Sequence, residues 1–343
     1  MKRMSLCRFL VCITAWSLFI VPGARAWDYE GHRLVNQLAL ASLPTNFPAF
    51  VFTPAARERI AFLSGEPDRW RNTPDLPLRH FNGPDHYLDI EDLAPMGVKP
   101  SGLSPLRYVF TAQLAVAREK NPGAFPRIDA TRDADQTKAL PGYLPWTITE
   151  YAGKLKSAFS YLRELEQAGT KEEILNAQAN IIYLMGVMGH FVGDGSQPLH
   201  TTRNYNGWLG DNPNRYTTTN RFHSWIDGGY LNKVGLKPKE LFEKVRPARL
   251  LTSADVGGSS TNLFPVVMEY LQESFRQVEP LYQLERDGKL SDRQPVSPEG
   301  YDFIAGRLLV AGQLLGDLWL TARHHAPPDN FLRGQLSRRS LAE

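Results

Sequence analysis

The chain is nearly without cysteine: two among 343 residues, Cys7 and Cys12. From position 13 onward no disulfide can form, and no thiolate can serve as nucleophile or metal ligand. A surplus of charge is missing as well. A total of 39 Lys and Arg face 36 Asp and Glu. Four of those bases (Lys2, Arg3, Arg8, Arg25) and no acid fall in the first 26 residues, leaving 35 bases against 36 acids beyond them, a net of about −1. That balance excludes a broad basic surface of the kind that grips nucleic acid by charge alone. A polyanion would have to be held locally, by metal ions or by a few placed arginines. There is no Asn-x-Ser/Thr sequon, internal repeat, low-complexity tract or convincing series of alternating strands.

What is present begins with a leader pattern. Lys2, Arg3 and Arg8 precede an apolar run from about Phe9 to Val21, and Ala24-Arg25-Ala26 closes it. This order predicts a signal peptide over residues 1–26, cleaved before Trp27, and a secreted or periplasmic protein of residues 27–343. No later stretch is expected to cross a membrane, so no stable membrane insertion is expected after cleavage.

Helical periodicity dominates the remainder. Apolar spacing predicts helices over Gly31–Leu43, Leu103–Glu119, Thr147–Gln167, Lys171–Val192, Leu263–Leu284 and Pro298–Arg323, with Thr53-Pro54 opening one through Phe62. Pro-, Gly- and Asn-rich loops are expected over Glu66–Pro84, Asn121–Pro145, Thr201–Arg221 and Asp287–Pro298. The fold class implied is all-α, in one multi-helix domain. His324 and His325 are expected to close the last helix, where positive charge suits the macrodipole.

Histidines and carboxylates recur at metal-binding spacing. His190 and Asp194 lie four residues apart, on one face of a helix end, with His200 just beyond; His223 and Asp227 repeat the interval. Upstream, Pro67-Asp68-Arg69-Trp70-Arg71 and His86-Tyr87-Leu88-Asp89 add a carboxylate and an imidazole, while His80 competes with His86 as a ligand from the same loop. Any one His-x3-Asp pair is ordinarily a local helix contact, and a lone Asp after proline a cap. The set is informative where its members are not. Imidazole with carboxylate and no thiolate suits zinc better than calcium or magnesium.

In this order, the motifs Trp-x4-His, Pro-Asp-x-x-Arg, His-Tyr-Leu-Asp, Gly-His-Phe-Val-Gly-Asp-x3-Pro-Leu-His and His-x-Trp-x-Asp resemble the zinc-dependent single-strand nucleases of fungi and plants. Those enzymes share a superfamily with bacterial zinc-dependent phospholipase C. The resemblance runs from Trp27 to about Leu231 and implies a helical fold around three zinc ions. It implies one zinc held by Asp68, His86, His190 and Asp194, and a second by His200, His223 and Asp227. A third would take the Trp27 amine and carbonyl with His32, sharing Asp194 with the first.

The short spacing of Trp27 and His32, and Asp227 where the phospholipases tend to have Glu, resemble the nuclease branch. The chain departs from the eukaryotic nucleases in lacking their disulfides, and in a longer stretch between His86 and His190. Its 201–221 loop, with Tyr205, Trp208 and Tyr216, also departs.

The implied chemistry is hydrolysis of phosphodiesters in single-stranded DNA and RNA, and of 3′-nucleotides, by a zinc-bound hydroxide. Asp68 and Asp194 would hold the metals and nucleophile. Arg71 would clamp phosphate, while Tyr87 and Asp89 would meet the base. A phospholipase C acting on lipid head groups is the second reading, and a non-catalytic zinc-stabilised binding protein the third. No protein partner is expected.

Overall fold

The computed structural model describes residues 27–125, 128–251 and 262–342; the expected signal peptide, residues 1–26, lies outside the described residues. Side-chain caps and first-turn prolines set many of the helix starts. Asp28 accepts the Gly31 amide and opens α1 (Tyr29–Ser42). Thr53 accepts the Ala56 amide ahead of α2 (Pro54–Leu63). Pro67 and Pro77 lie in the first turns of α3 (Glu66–Arg71) and α4 (Leu76–Asn82). The 66–84 segment expected as loop is thus largely helical, because its prolines start helices.

There follow α5 (Arg107–Lys120), α6 (Leu144–Ala168) and α7 (Lys171–Ser196). A reciprocal Thr170/Glu173 capping box begins α7. After short helical turns between Phe222 and Phe242 come α8 (Phe264–Arg276), α9 (Val278–Arg286), α10 (Pro298–His324) and α11 (Asn330–Ala342).

No strand occurs among the described residues, only the isolated bridges Leu88–Gly142 and Tyr205–Gly207. The fold is all-α. Two expectations need correction. The single helix anticipated over 263–284 is broken at Gln277, since Pro280 has no amide hydrogen for the Arg276 carbonyl and its ring crowds that carbonyl. The His324/His325 pair ends α10 but not the helical chain. Helix α11 comes after it, fastened by a two-pronged ion pair of Arg333 with buried Glu164, both contacts at 2.8 Å.

Helices α1, α6, α7 and α10 pack together, and one apolar core joins Trp27 to Leu336. Contrary to expectation, α10 is long and apolar enough to cross a membrane by length and composition. Its Leu308, Leu315, Leu318 and Trp319 are instead fully buried against the neighbouring helices.

Close helix approach depends on residues without a side chain. A Cβ at Gly189 would stand 1.5 Å from Asn36 Oδ1, and Asn36 is itself committed, donating to the carbonyls of Ile60 and Gly186 at 2.7 and 3.0 Å. Gly189→Ala is therefore expected to destabilise the protein by about 3 kcal/mol or more, the upper range for overpacking. Urea unfolding with a midpoint unchanged from wild type would show that α1 can move away from α7 at little cost.

Candidate metal centre

The C-terminal turn of α7 is the platform of the site. An α-helix leaves its final carbonyls without intrahelical partners; here four of the last five are met by side chains from distant elements. Tyr270 donates to Val192 O at 2.6 Å, the Trp27 indole to Gly193 O at 3.1 Å, Ser274 to Gly195 O at 2.6 Å and Arg307 to Ser196 O at 2.8 Å. Arg307 is buried and also donates to Ser274 Oγ. A cation at this end complements the helix macrodipole, although burial lowers its pKa. This lock holds His190 and Asp194, one helical turn apart, in a fixed direction.

Around them the chain gathers its other candidate ligands. His32 comes from α1 and stacks on His190 with ring centroids 3.9 Å apart. The fit requires Gly193, where a Cβ would stand 2.7 Å from His32 Nδ1. Asp68 lies on α3, and His86 ends a short 3-10 turn, Gly83–His86. His200 follows α7 on the turn Pro198–His200. His223 and Asp227 approach along a segment that widens into a π-turn over Trp225–Tyr230, a local feature common at functional sites. Trp27 sits beside this assembly, fully buried, and the next residue's amide donates to Asp227 O at 3.1 Å.

Ligand-type atoms converge in three groups, each within 4.8 Å: His32/Asp68/His190, His86/His190/Asp194 and His200/His223/Asp227. In the second, His86 Nδ1 is 2.9 Å from Asp194 Oδ2 and 3.0 Å from His190 Nε2, and His190 Nε2 is 3.3 Å from that same oxygen. In the third, His223 Nε2 is 2.8 Å from Asp227 Oδ2 and 3.0 Å from His200 Nε2.

A tetrahedral ion with bonds of about 2.0–2.1 Å separates its ligand atoms by roughly 3.3 Å, so both groups have the scale of a metal shell. Asp194 connects all of them: its Oδ1 is 3.4 Å from His32 Nε2 and 3.9 Å from His200 Nδ1. The grouping differs from the expected one in placing His32 with Asp68 and His190 as well as near Asp194.

Two further observations test the fit. Buried atoms at the centre, among them both nitrogens of His32, Asp68 Oδ1, His86 Nε2, Asp194 Oδ1 and Asp227 Oδ2, have no aligned hydrogen bond. Such atoms are costly inside a protein unless something coordinates them. The rings are also oriented from behind. His190 Nδ1 meets Ser64 O and His200 Nδ1 meets His86 O, each at 2.6 Å. Donation from Nδ1 to a carbonyl leaves Nε2 with its lone pair toward the cluster, the arrangement that outer-shell carbonyls impose on ligating histidines.

Electrostatics agree with this arrangement. Burial lowers His32 and His200, and takes His86 and His223 down to about 3; neutral imidazole is the ligating form. For His190, burial is outweighed by Asp194 and Asp68, which raise it. Burial pushes Asp68 and Asp194 upward, yet Arg71 and His190 bring Asp68 down to about 2, and His190 and His200 hold Asp194 well below the carboxylate range. Asp227 is raised by burial, despite a hydrogen bond from Gln197. These residues can hold metal ions.

The chain matches no protein-family model and no curated protein.

The remaining predicted residues line a cleft of about 410 Å³ that opens beside His200 and His223. Arg71 enters it from α3 and lies 2.8 Å from Asp68 through Nε. Tyr87 is half-buried and its hydroxyl donates to Leu140 O at 3.3 Å. Asp89 is held well above the carboxylate range, first by burial and then by Asp92 and Glu91.

His80 lies outside the clusters, exposed, with Nδ1 2.6 Å from Asp135 O. Tyr205 faces the cleft, but Trp208 and Tyr216 pack on Tyr282 and pin the 201–221 loop instead. Sequence reasoning did not anticipate the lock on α7. An arginine inside the otherwise apolar Ile304–Gly312 stretch of α10 was its one visible sign.

Proposed function

We propose that the protein is a secreted or periplasmic zinc-dependent phosphodiesterase, an endonuclease hydrolysing single-stranded DNA and RNA, and that it belongs with the zinc-dependent single-strand nucleases its motifs resemble. The observation that carries this reading is the gathering around Asp194 of imidazoles from α1, the 83–86 turn, α7 and the 198–200 turn, with Asp68 beside His190 and Asp227 beside His223. An assembly of mixed His and Asp donors beside an open cleft suits catalysis better than the closed, often thiolate-rich shells of structural zinc. That weighs against a non-catalytic binding protein.

Three zinc ions are proposed, held by the nine residues Trp27, His32, Asp68, His86, His190, Asp194, His200, His223 and Asp227. When bound, zinc supplies Lewis acidity toward a phosphate and makes water acidic enough to act as a nucleophile at neutral pH. The chain's own groups then do the rest. Asp194 and Asp68 keep negative charge at the centre. Arg71, ion-paired to Asp68, presents its guanidinium to the cleft, where it can bind non-bridging phosphate oxygens and stabilise charge as it spreads. Tyr87 offers a flat surface and Asp89 a carboxyl edge to a base.

The charged lining of the cleft favours a nucleotide over a diacylated lipid, which leaves phospholipase C as the second reading. The deciding assay uses the protein processed at Trp27, with and without chelator, on single-stranded DNA, RNA, 3′-AMP and phosphatidylcholine. Chelator-sensitive release of nucleotides supports the proposal; hydrolysis of phosphatidylcholine alone overturns it in favour of the second reading.

Processing should matter. Because the Trp27 α-amine is proposed as a ligand, a mature protein extended by one alanine before Trp27 is expected to lose one equivalent of zinc and about tenfold or more in kcat/KM, the scale of a perturbed metal environment. Three bound zincs and full activity in the extended protein would remove the amine from the site.

A further inference from the structure

The 83–86 turn serves two metal groups at once. Its last residue, His86, places Nδ1 2.9 Å from Asp194 Oδ2, and the His86 carbonyl accepts Nδ1 of His200 at 2.6 Å. The Leu88 amide then donates to His200 O at 2.9 Å. His86 belongs to the group with His190 and Asp194, and His200 to the group with His223 and Asp227. A shift of this turn would displace ligands of both. A four-residue 3-10 turn has few and poorly aligned hydrogen bonds of its own, so its position is set by what grips it.

The grip comes from the long stretch between His86 and His190. The Tyr143 amide donates to Pro84 O at 2.7 Å and the Leu144 amide to Tyr87 O at 3.1 Å. The side-chain grip is Arg107, the first residue of α5. Its Nη1 donates at 2.6 Å to Oδ1 of Asp85, the buried neighbour of His86. On α6, Nη2 donates to Thr147 Oγ1 at 2.8 Å, while Nε and Nη2 hold the two oxygens of Glu150 at 2.8 and 2.9 Å. The guanidinium also lies over the Tyr143 ring, 5.2 Å from its centre. A planar group engaged on so many sides keeps one orientation, and it passes the position of α6 on to Asp85.

The simplest alternative is that this bridge only fastens α5. That helix is already fastened. Phe110 is fully buried, stacks on Trp146 of α6 with centroids 4.3 Å apart and meets Tyr143 edge-on at 5.8 Å. Holding α5 does not require a buried carboxylate next to a histidine of the metal centre, which is costly unless its partner is in place. Arg107 satisfies Asp85 only when the turn and α6 are in register.

Resting on the metal centre of the reading above and not on its substrate, we propose that Arg107 is a positioning residue for that centre. Through Asp85 it fixes the His86 turn, and through the His86 carbonyl the ring of His200, so that zinc affinity depends on a side chain that is itself no ligand.

The test uses the protein processed at Trp27. It measures zinc affinity by chelator competition, well below each melting temperature, and the visible spectrum of cobalt(II) bound in place of zinc, which reports coordination geometry. Arg107→Gln is expected to bind zinc about 10- to 100-fold more weakly, the cost of removing a partner behind a metal ligand, and to change the cobalt spectrum. Arg333→Gln breaks the two-pronged pair with buried Glu164, roughly 20 Å further along α6 than Glu150. It is expected to lower the melting temperature but keep the wild-type zinc affinity and spectrum. Should Arg107→Gln fail to fold because Asp85 is left buried and alone, the double variant Asp85→Asn/Arg107→Gln, with no buried charge there to pair, is read in its place with the same expectation. Zinc affinity within twofold of wild type, or a loss equalled by Arg333→Gln, overturns the positioning role and leaves the metal centre standing. A wild-type protein that binds no zinc overturns the metal centre and the role together.

Discussion

Asp194→Asn is expected to cut kcat/KM on single-stranded DNA by at least about 100-fold and to release bound metal, whereas Arg71→Ala is expected to cost about tenfold and leave the metal in place. The asymmetry comes from position. Asp194 is fully buried and its two oxygens lie within 4 Å of His32, His86, His190 and His200. The amide keeps the shape but loses the charge and one of the two acceptors on which those imidazoles converge. Loss of an outer-shell partner alone costs about 10–100-fold in metal affinity or activity, so a shared ligand belongs at or beyond that upper end. Arg71 contributes from the cleft wall. Kinetics together with metal analysis of the purified variants decide the matter: comparable losses in kcat, with metal content equal in both, would show that Asp194 is not the shared centre.

Metal removal is expected to lower the melting temperature by roughly 8 °C or more, reversibly. A single ion present at a thousand times its Kd adds about 4 kcal/mol to folding stability, and each kcal/mol moves Tm by about 2–4 °C in a domain of 150–250 residues. The buried atoms His32 Nδ1, His86 Nε2 and Asp227 Oδ2 lack aligned hydrogen bonds, so coordination offsets a desolvation cost that the protein alone bears. With no cysteine beyond Cys12, disulfides cannot mask the effect. Calorimetry with EDTA, followed by zinc addition, measures it. A melting temperature indifferent to both would mean that the clusters are satisfied without metal.

Much of this was legible in the sequence, for identifiable reasons. Helices α1, α6, α7 and α10 announced themselves because their apolar faces recur with helical period, and the His190/Asp194 and His223/Asp227 intervals are local facts of spacing. Convergence was not local. Nothing in the spacing of His86 and His200 says that the carbonyl of one receives the ring of the other, or that Ser64 orients His190. The short helices α3 and α4 were hidden by prolines, which open a helix or break one according to the residues on their C-terminal side. Arg307 stood out in an apolar run, but its role was hidden because its partners are backbone carbonyl and hydroxyl groups far away in sequence, not an acid nearby.

The lock at the end of α7 also bears on how the protein is made. Trp27 stands at the start of the described chain, Tyr270 and Ser274 lie on α8 and Arg307 on α10, and all four hold carbonyls of one helical turn. During synthesis, a nascent chain cannot complete that turn until residue 307 has emerged. Before then, His190 and Asp194 lack their final anchorage.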